Sequence, residues 1–234
     1  MLNTNLVADT LTAALSVAGD MAEIFVENSE RSTINMINGQ VDKANWGIDY
    51  GCGIRIICGH NAIYAYTNRL DADNLIKVAK EASVAAEQLV KATSTTDNAR
   101  LPATIPLQRL FWDEIHTVSI LPSDGEKKNI VNLLRSASAA SYGYDKLITQ
   151  TSGSYASVIQ DVLIANSKGL LAEDRRVRTR VSITAVASGD GIDGHEKQTG
   201  RHSPGASKGL ELFDDFDIEH LAKDAAKTDR MSVV

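Results

Sequence analysis

The chain has 234 residues, 43% of them hydrophobic and 23% charged, which is typical of an ordinary globular protein with a substantial core in one large or two small domains. Its formal net charge of -6 at pH 7 argues against a nucleic-acid-binding protein, because phosphate recognition needs a concentrated basic surface. Since no apolar run has the length of a membrane span and the N-terminal residues lack a secretion signal, we expect a cytoplasmic protein without membrane segments.

The N-terminal third predicts a helix followed by antiparallel strands. Apolar residues recur at helical spacing, and Gly19 stands where such a helix would end. Residues 22–31 and 34–49 alternate as strands do, and Asn38 and Gly39 form a strong hairpin signal. The helical stripe consists of Val7, Leu11, Ala14, Leu15 and Ala18.

Residues 46–70 predict a second hairpin. A turn at Gly59, His60 and Asn61 separates a long strand from a return strand over 62–67, where Tyr64 and Tyr66 share a face. Glycines inside the long strand favour a bulge over the close approach of another backbone or a ligand. They are Gly47, Gly51 and Gly53. One face of the long strand is apolar along nearly its whole length, through Trp46, Ile48, Tyr50, Cys52, Ile54, Ile56 and Cys58.

The two cysteines predict neither a disulfide nor a metal site. Cys52 and Cys58 lie on one predicted strand, which would separate their α-carbons by roughly 20 Å, far beyond the reach of a disulfide. We expect both to be buried as small hydrophobic residues.

The middle of the chain predicts two further helices around a loop. Asp71 caps the first helix, and a surface connection follows over 91–109. The second helix is predicted to open at Pro122, Ser123 and Asp124 and to bury Ile130, Leu133, Leu134 and Ala137.

Residues 146–186 predict strands separated by turns at Ser152 and Gly153 and at 166–169. Within them, Val177, Thr179, Val181, Ile183 and Ala185 face one way, and Arg176, Arg178 and Arg180 face the other. The arginine face suits a peptide carboxylate or an acidic partner surface, since the guanidinium fork matches carboxylates. The alternative is a solvated face paired with Glu and Asp side chains of a neighbouring strand.

The C-terminal part predicts a glycine-rich segment and a last helix. Six glycines in residues 189–209 indicate a long loop or a loosely paired hairpin. Asp217 caps a helix that buries Ile218, Leu221, Ala222 and Ala225. No helix-terminating signal follows before Val234, so the sequence alone favours a longer natural product or a partner that completes the fold.

Two stretches carry a resemblance to a known family. GCGIRIICG at 51–59, followed by AYTNRL at 65–70, and IANSKGLLAEDRRVRTRVSITAVA at 164–187 resemble the N-terminal domain of the TldD/PmbA family of zinc metallopeptidases, also called modulators of DNA gyrase. The form of the first motif is closer to the TldD side of the family. The resemblance implies an α+β fold with an antiparallel or mixed twisted sheet and helices packed on it.

The resemblance also implies a domain arrangement. We expect an α+β domain over 1–215, with sub-parts 1–91 and 110–215 joined by a loop over 92–109. A terminal helix over 216–234 would lead towards a C-terminal catalytic domain. The implied partners are that catalytic domain, a PmbA-type subunit in a homo- or hetero-oligomer, and a peptide substrate. Arg55, Tyr66, Asn68 and the three arginines at 176, 178 and 180 are candidates for peptide or subunit contacts.

Catalytic residues are not predicted within these residues. Zinc peptidases of the TldD group carry a His-Glu-x-x-x-His segment, which this sequence lacks, so zinc is expected only in the complete family member. His195 and Glu196 form the single His-Glu pair, but Thr199 and Gly200 stand where a second histidine is needed, and His202 would face away from His195. Three functions stay open: the non-catalytic part of a metallopeptidase subunit, a stand-alone binding and assembly module, or an enzyme whose site within these residues forms only on folding.

Overall fold

A computed structural model describes residues 2–93, 105–111, 116–191 and 194–230. The helices are α1 (Thr4–Ala14), α2 (Ala72–Thr93), α3 (Lys127–Tyr144) and α4 (Ile218–Arg230), with a 3₁₀ helix at Leu210–Asp214. The strands are β1 (Met21–Ile37), β2 (Gln40–Cys58), β3 (Asn61–Thr67), β4 (Gln108–Leu110), β5 (Ile148–Asn166), β6 (Leu170–Gly191), β7 (Gly194–His202) and β8 (Gly205–Ala206).

The described strands form one eight-stranded sheet. Its order is β3-β2-β1-β5-β6-β4, with β7 and β8 also paired to β6. β3 is antiparallel to β2, β7 and β8 are antiparallel to β6, and β4 is parallel to β6. The sheet is therefore mixed and carries packed helices, which confirms the predicted α+β fold. No helix in the described part of the chain combines the length and apolar character needed to cross a membrane.

The helix and antiparallel strands predicted for the N-terminal third are present, but α1 ends at Ala14 rather than at Gly19, and β1 runs unbroken from Met21 to Ile37. Asn3 caps α1 by accepting the backbone N–H groups of Asn5 and Leu6, and all five residues of the apolar stripe are buried. Gly19 has a φ of 120°, a conformation that only glycine adopts readily. Asn38 and Gly39 both have positive φ, as a two-residue hairpin turn between β1 and β2 requires.

The chain forms two compact units, each built from separate stretches. Unit 1 comprises Met1–Ser29, Asp49–Asp113 and Gln160–Arg175, and unit 2 comprises Glu30–Ile48, Glu114–Ile159 and Arg176–Val234. The boundaries expected from sequence, at 91, 110 and 215, stay a prediction.

Unit 1 buries α1 and α2 against its part of the sheet. Leu11 of α1 and Leu75 and Ala79 of α2 share a core with the buried face of β2. Cys52 and Cys58 are free and buried there, as predicted. Burial raises the pKa of the Cys52 thiol to about 12, so this side chain stays protonated at physiological pH.

Unit 2 buries α3 and α4 against its part of the sheet. Its core includes Ile34 and Met36 of β1, Leu134 of α3 and Ala222 of α4. Asp217 accepts the backbone N–H groups of Glu219 and His220, so the predicted cap of the last helix is confirmed. An aromatic group joins the core, with ring centroids 6.2 Å apart between Tyr155 and Phe213 and 6.0 Å apart between Phe213 and Phe216.

Two sequence predictions are wrong, because stretches that contain glycine or proline lie in strands or in the core rather than in turns and loops. Ser152 and Gly153 lie inside β5, where a Cβ atom on Gly153 would stand 3.2 Å from Leu134 Cδ2, so the glycine gives α3 room to pack. Within the predicted surface connection, Ile105 is buried and Gln108–Leu110 forms β4, while residues 94–104 lie outside the described part.

Two further predictions need smaller corrections. α3 begins at Lys127 with Glu126 as its N-cap, rather than at the Pro122 turn. The glycine-rich segment contains a regular hairpin in which β7 pairs with β6 from Ile183 opposite His202 to Gly191 opposite Gly194. The hairpin, rather than the loop, is therefore the better of the two predicted alternatives.

Candidate peptide-binding and assembly surfaces

The first candidate surface is the solvent face of the β2–β3 hairpin in unit 1. Arg55 pairs with Tyr64 across the two strands, and Gly53 pairs with Tyr66. Arg55 and both tyrosines are exposed, whereas Ile54 and Ile56 point into the core from the opposite face. The structure therefore brings two predicted contact residues, Arg55 and Tyr66, onto one face together with Tyr64.

The rings of Tyr66 and Tyr64 pack over Gly51 and Gly53, where the absence of a side chain leaves room for them. A Cβ atom on Gly51 would overlap the Tyr66 ring, and one on Gly53 would overlap the Tyr64 ring. The pairing register runs without interruption from Cys52 to Cys58, so the bulge predicted at Gly53 is wrong. Each glycine instead allows an aromatic ring of the neighbouring strand to pack directly on its backbone. The rings cover backbone that would otherwise face water.

The charged group on this face is already held within unit 1. Arg55 Nε donates to Glu23 Oε2 at 2.8 Å, and the second bond from Arg55 Nη2 reaches the same carboxylate oxygen. Tyr66 Oη lies 3.4 Å from the carbonyl oxygen of Tyr50. Asn68 follows the end of β3 and is exposed. Arg55 is half-exposed, so part of its guanidinium still faces solvent.

β3 is also a terminal strand of the sheet. Its two-residue turn at Gly59 and His60 makes Cys58 and Asn61 the first hydrogen-bonded pair, and such pairs alternate along an antiparallel ladder. The backbone N–H and C=O groups of Ala62, Tyr64 and Tyr66 therefore point away from β2. Within the described chain no strand pairs with this outer side of β3. An unpaired strand edge of this kind is a template for adding another strand.

The second candidate surface is the arginine face of β6 in unit 2. Its predicted alternation is confirmed: the apolar positions are buried, and Arg176, Arg178 and Arg180 are exposed on the other side. The three arginines belong to a different unit from Arg55, Tyr66 and Asn68. Their predicted role in binding a peptide or a subunit stays a prediction.

A cleft in unit 2 was not predicted. It has a volume of about 170 Å³ and lies between the sheet and the start of α3. Ile34, Ile130 and Tyr155 form apolar walls. Trp46 Nε1 donates to Glu30 Oε1 at 2.7 Å, and Lys127 Nζ lies 6.0 Å from the Trp46 ring centroid. The alternation of β2 predicts that Trp46 lies on the apolar face of that strand. No local sequence pattern predicts its contact with Lys127, which lies far along the chain.

The described residues do not fit a zinc site. No group of three His, Cys, Asp or Glu side chains comes together among them, and the Cys52 thiol is too weakly acidic to be a ready thiolate ligand. His195 lies in strand β7 rather than in a helix, while its side chain and that of Glu196 lie outside the described part.

Family models match two successive parts of the chain. Residues 22–86 match PmbA/TldA metallopeptidase domain 1, and residues 120–232 match the PmbA/TldA metallopeptidase central domain.

Curated relatives agree with these matches. The chain is 25% identical over 194 residues to a metalloprotease TldD homologue of Haemophilus influenzae, covering 83% of this chain and 38% of the relative. It is 26% identical over 208 residues to a metalloprotease of Methanothermobacter thermautotrophicus, covering 87% and 41%. The chain thus spans about two fifths of the length of the curated relatives that it matches.

Solved structures share the fold. A Bacteroides thetaiotaomicron structure, described as a modulator of DNA gyrase, superposes with a TM-score of 0.73 at 11% identity, covering 94% of this chain and 48% of that one. TldE from Thermococcus kodakarensis superposes with a TM-score of 0.63 at 15% identity, covering 91% and 44%. The fold is therefore the mixed-sheet α+β architecture found in part of these longer proteins.

The two matching models describe successive domains of one protein family, and together they cover most of the chain. The chain belongs to the TldD/PmbA family.

Proposed function

We propose that these residues form the N-terminal, non-catalytic part of a TldD-like metallopeptidase subunit that acts on small or unfolded peptides. In this role they wall the reaction chamber, contact the peptide and assemble with a PmbA-type subunit. The zinc ion and its ligands come from polypeptide outside these 234 residues. The observation that carries the proposal is the succession of domain 1 and central domain models from one metallopeptidase family.

The outer edge of β3 supports a peptide-contact role. Its three outward backbone groups recur at every second residue, which is the repeat that an added strand requires. Strand addition gives affinity through backbone hydrogen bonds, so it tolerates many sequences. This suits a peptidase whose substrates share an extended shape rather than a side chain. Arg55, Tyr66 and Asn68 flank the edge and contact the peptide or the partner subunit.

Tyr64→Pro is expected to weaken the binding of an extended peptide about tenfold, since proline removes the outward N–H and blocks strand addition. The protein should still fold, because this N–H does not pair with β2 and proline is tolerated on an edge strand. Fluorescence anisotropy with a labelled peptide of alternating valine and serine measures the change.

Tyr64→Ala is the matched control for this experiment. It removes the same ring from Gly53 but keeps the backbone N–H, so we expect peptide affinity within about threefold of the parent chain. Equal losses in the proline and alanine variants would show that the edge backbone does not bind the peptide.

The purified chain is expected to contain no stoichiometric zinc and to cleave no peptide, because its described residues assemble no ligand set. Metal analysis and a peptide-cleavage assay on the same preparation measure this. One tightly held zinc ion per chain, or cleavage that a chelator abolishes, would contradict the proposed division of roles and direct attention to His195 and His202.

A further inference from the structure

The arginine face of unit 2 extends beyond the three arginines of β6. In the antiparallel pairing of β6 with β7, Arg201 stands opposite Thr184. Because side chains alternate along a strand, Thr184 lies on the same face as Arg178 and Arg180, and so does Arg201. All three arginines are exposed. We define the surface formed by Arg178, Arg180 and Arg201 as the basic face.

The contacts of the basic face leave its charge uncompensated. Arg180 Nε donates to Ser203 Oγ at 2.8 Å, and Arg201 Nε donates to Ser182 Oγ at 2.8 Å. These partners are neutral hydroxyls, and each guanidinium has five N–H donors. Among the described residues no carboxylate forms an ion pair with Arg178, Arg180 or Arg201. Arg178 and Arg180 therefore lack, among the described residues, the acidic partners that the alternative interpretation of this face expects.

Arginines of unit 1 behave differently. Arg175 donates to both oxygens of Asp161, at 2.6 and 3.0 Å, and these hydrogen bonds raise the pKa of Arg175. Arg55 donates from both Nε and Nη2 to a single oxygen of Glu23. These two arginines thus have carboxylate partners within the chain, which is acidic as a whole. Among the described residues, Arg178, Arg180 and Arg201 have only neutral partners, so their charge is available to the carboxylates of a partner.

The spacing of the basic face specifies the shape of that partner. Arg178 and Arg180 are two residues apart on one strand, which separates their α-carbons by about 6.6 Å. Alternate side chains of an extended peptide have the same repeat. Single-stranded nucleic acid also presents charges in series, but its binding sites add aromatic side chains on which bases stack. The large exposed aromatic residues of the described chain lie on neither β6 nor β7.

We propose that the basic face binds an extended acidic peptide segment whose carboxylates occupy alternate positions and lie along β6. Each carboxylate accepts charge-assisted hydrogen bonds from a guanidinium. Ser203 and Ser182 accept hydrogen bonds that orient the guanidinium groups of Arg180 and Arg201. This goes beyond the proposed function, because it assigns a second, charge-selective surface in the unit that does not contain β3.

The test uses the whole chain and a fluorescein-labelled peptide in which glutamate alternates with threonine. Fluorescence anisotropy at low salt should show saturable binding, and Arg178→Glu should weaken it at least about tenfold by opposing like charges. A peptide with glutamine in place of glutamate should not bind. A peptide of the same composition with its glutamates in one block should bind at least about threefold more weakly, because its charges miss the alternate spacing.

Lys223→Glu is the matched control, since it makes the same change in charge at an exposed position of α4. It should leave peptide affinity within about twofold of the parent chain if local geometry rather than net charge governs binding. Unchanged thermal unfolding of both variants verifies that neither acts through stability.

Three results would overturn the proposal: equal losses in Arg178→Glu and Lys223→Glu, equal binding of the alternating and blocked peptides, or preferential binding of oligothymidylate in an Arg178-dependent manner. None of these would change the Tyr64→Pro result at the β3 edge. Failure of this inference is therefore distinguishable from failure of the proposed function.

Discussion

Gly209→Ala is expected to lower the free energy of unfolding by about 3 kcal/mol, the sum of overpacking and a lost hydrogen bond. A Cβ atom at this position would overlap the carbonyl oxygen of Ile120. The obstacle is backbone, so no rotamer change can relieve it. The same carbonyl accepts the Leu210 N–H at 2.8 Å, and moving it away breaks that bond.

The loop around Gly209 makes this carbonyl hard to move. Glu211 Oε1 accepts the N–H of Gly209 at 2.8 Å, and Glu211 Oε2 accepts the N–H of Ile120 at 3.0 Å, so one carboxylate links the two chain segments that meet here. Burial opposes the charged form, but these backbone donors outweigh it and lower the pKa of Glu211. The carboxylate is ionised at neutral pH and holds the contact closed.

Gly143→Ala is the control for the glycine experiment. Gly143 lies in α3 with no atom within 4 Å of where a Cβ would stand, so alanine should stabilise the protein by about 0.5 kcal/mol through helix propensity alone. Urea denaturation of both variants gives the comparison. If Gly209→Ala were as harmless as Gly143→Ala, the Ile120 carbonyl could not be packed against Gly209 as the structure has it.

The contrast between these glycines shows which parts of the fold are accessible to sequence reasoning. The turn at Asn38 and Gly39 was predictable because its signal is local: two adjacent residues that tolerate positive φ. The α1 stripe and the Asp217 cap were predictable for the same reason. Gly153 was not, because its neighbour is Leu134 on another element. A glycine that makes room for a distant side chain has the same sequence signature as a turn.

The candidate sites divide in the same way. The period-2 alternation of β6 was sufficient to place Arg176, Arg178 and Arg180 on one exposed face. Arg201 escaped prediction because its place on that face depends on the register between β6 and β7. The cleft beside Trp46 depends on where α3 begins relative to the sheet, and short-range patterns carry no information about that.

The apolar face predicted along β2 is real, but only part of it is core. Cys52, Ile54 and Ile56 are fully buried under α1 and α2, whereas Trp46 and Ile48 are both 54% exposed. Alternation identifies a face and does not say how far the covering helices extend along it. An uncovered apolar stretch on a strand is a surface available for partner contacts.

Ile56→Ala is therefore expected to lower the free energy of unfolding by about 3–4 kcal/mol, and Ile48→Ala by less than about 1 kcal/mol. Both changes remove the same atoms from the same face of the same strand. The change in β-propensity and the water-to-apolar transfer free energy of the removed atoms are therefore the same for both. Ile56 is 0% exposed, so its substitution by alanine leaves a cavity in the unit 1 core. Ile48 is half-exposed, so the same substitution there leaves no cavity. Urea denaturation measures both. A cost at Ile48 equal to that at Ile56 would mean that the N-terminal half of this face is covered in solution, and sedimentation analysis across a concentration series would then show whether a second copy covers it.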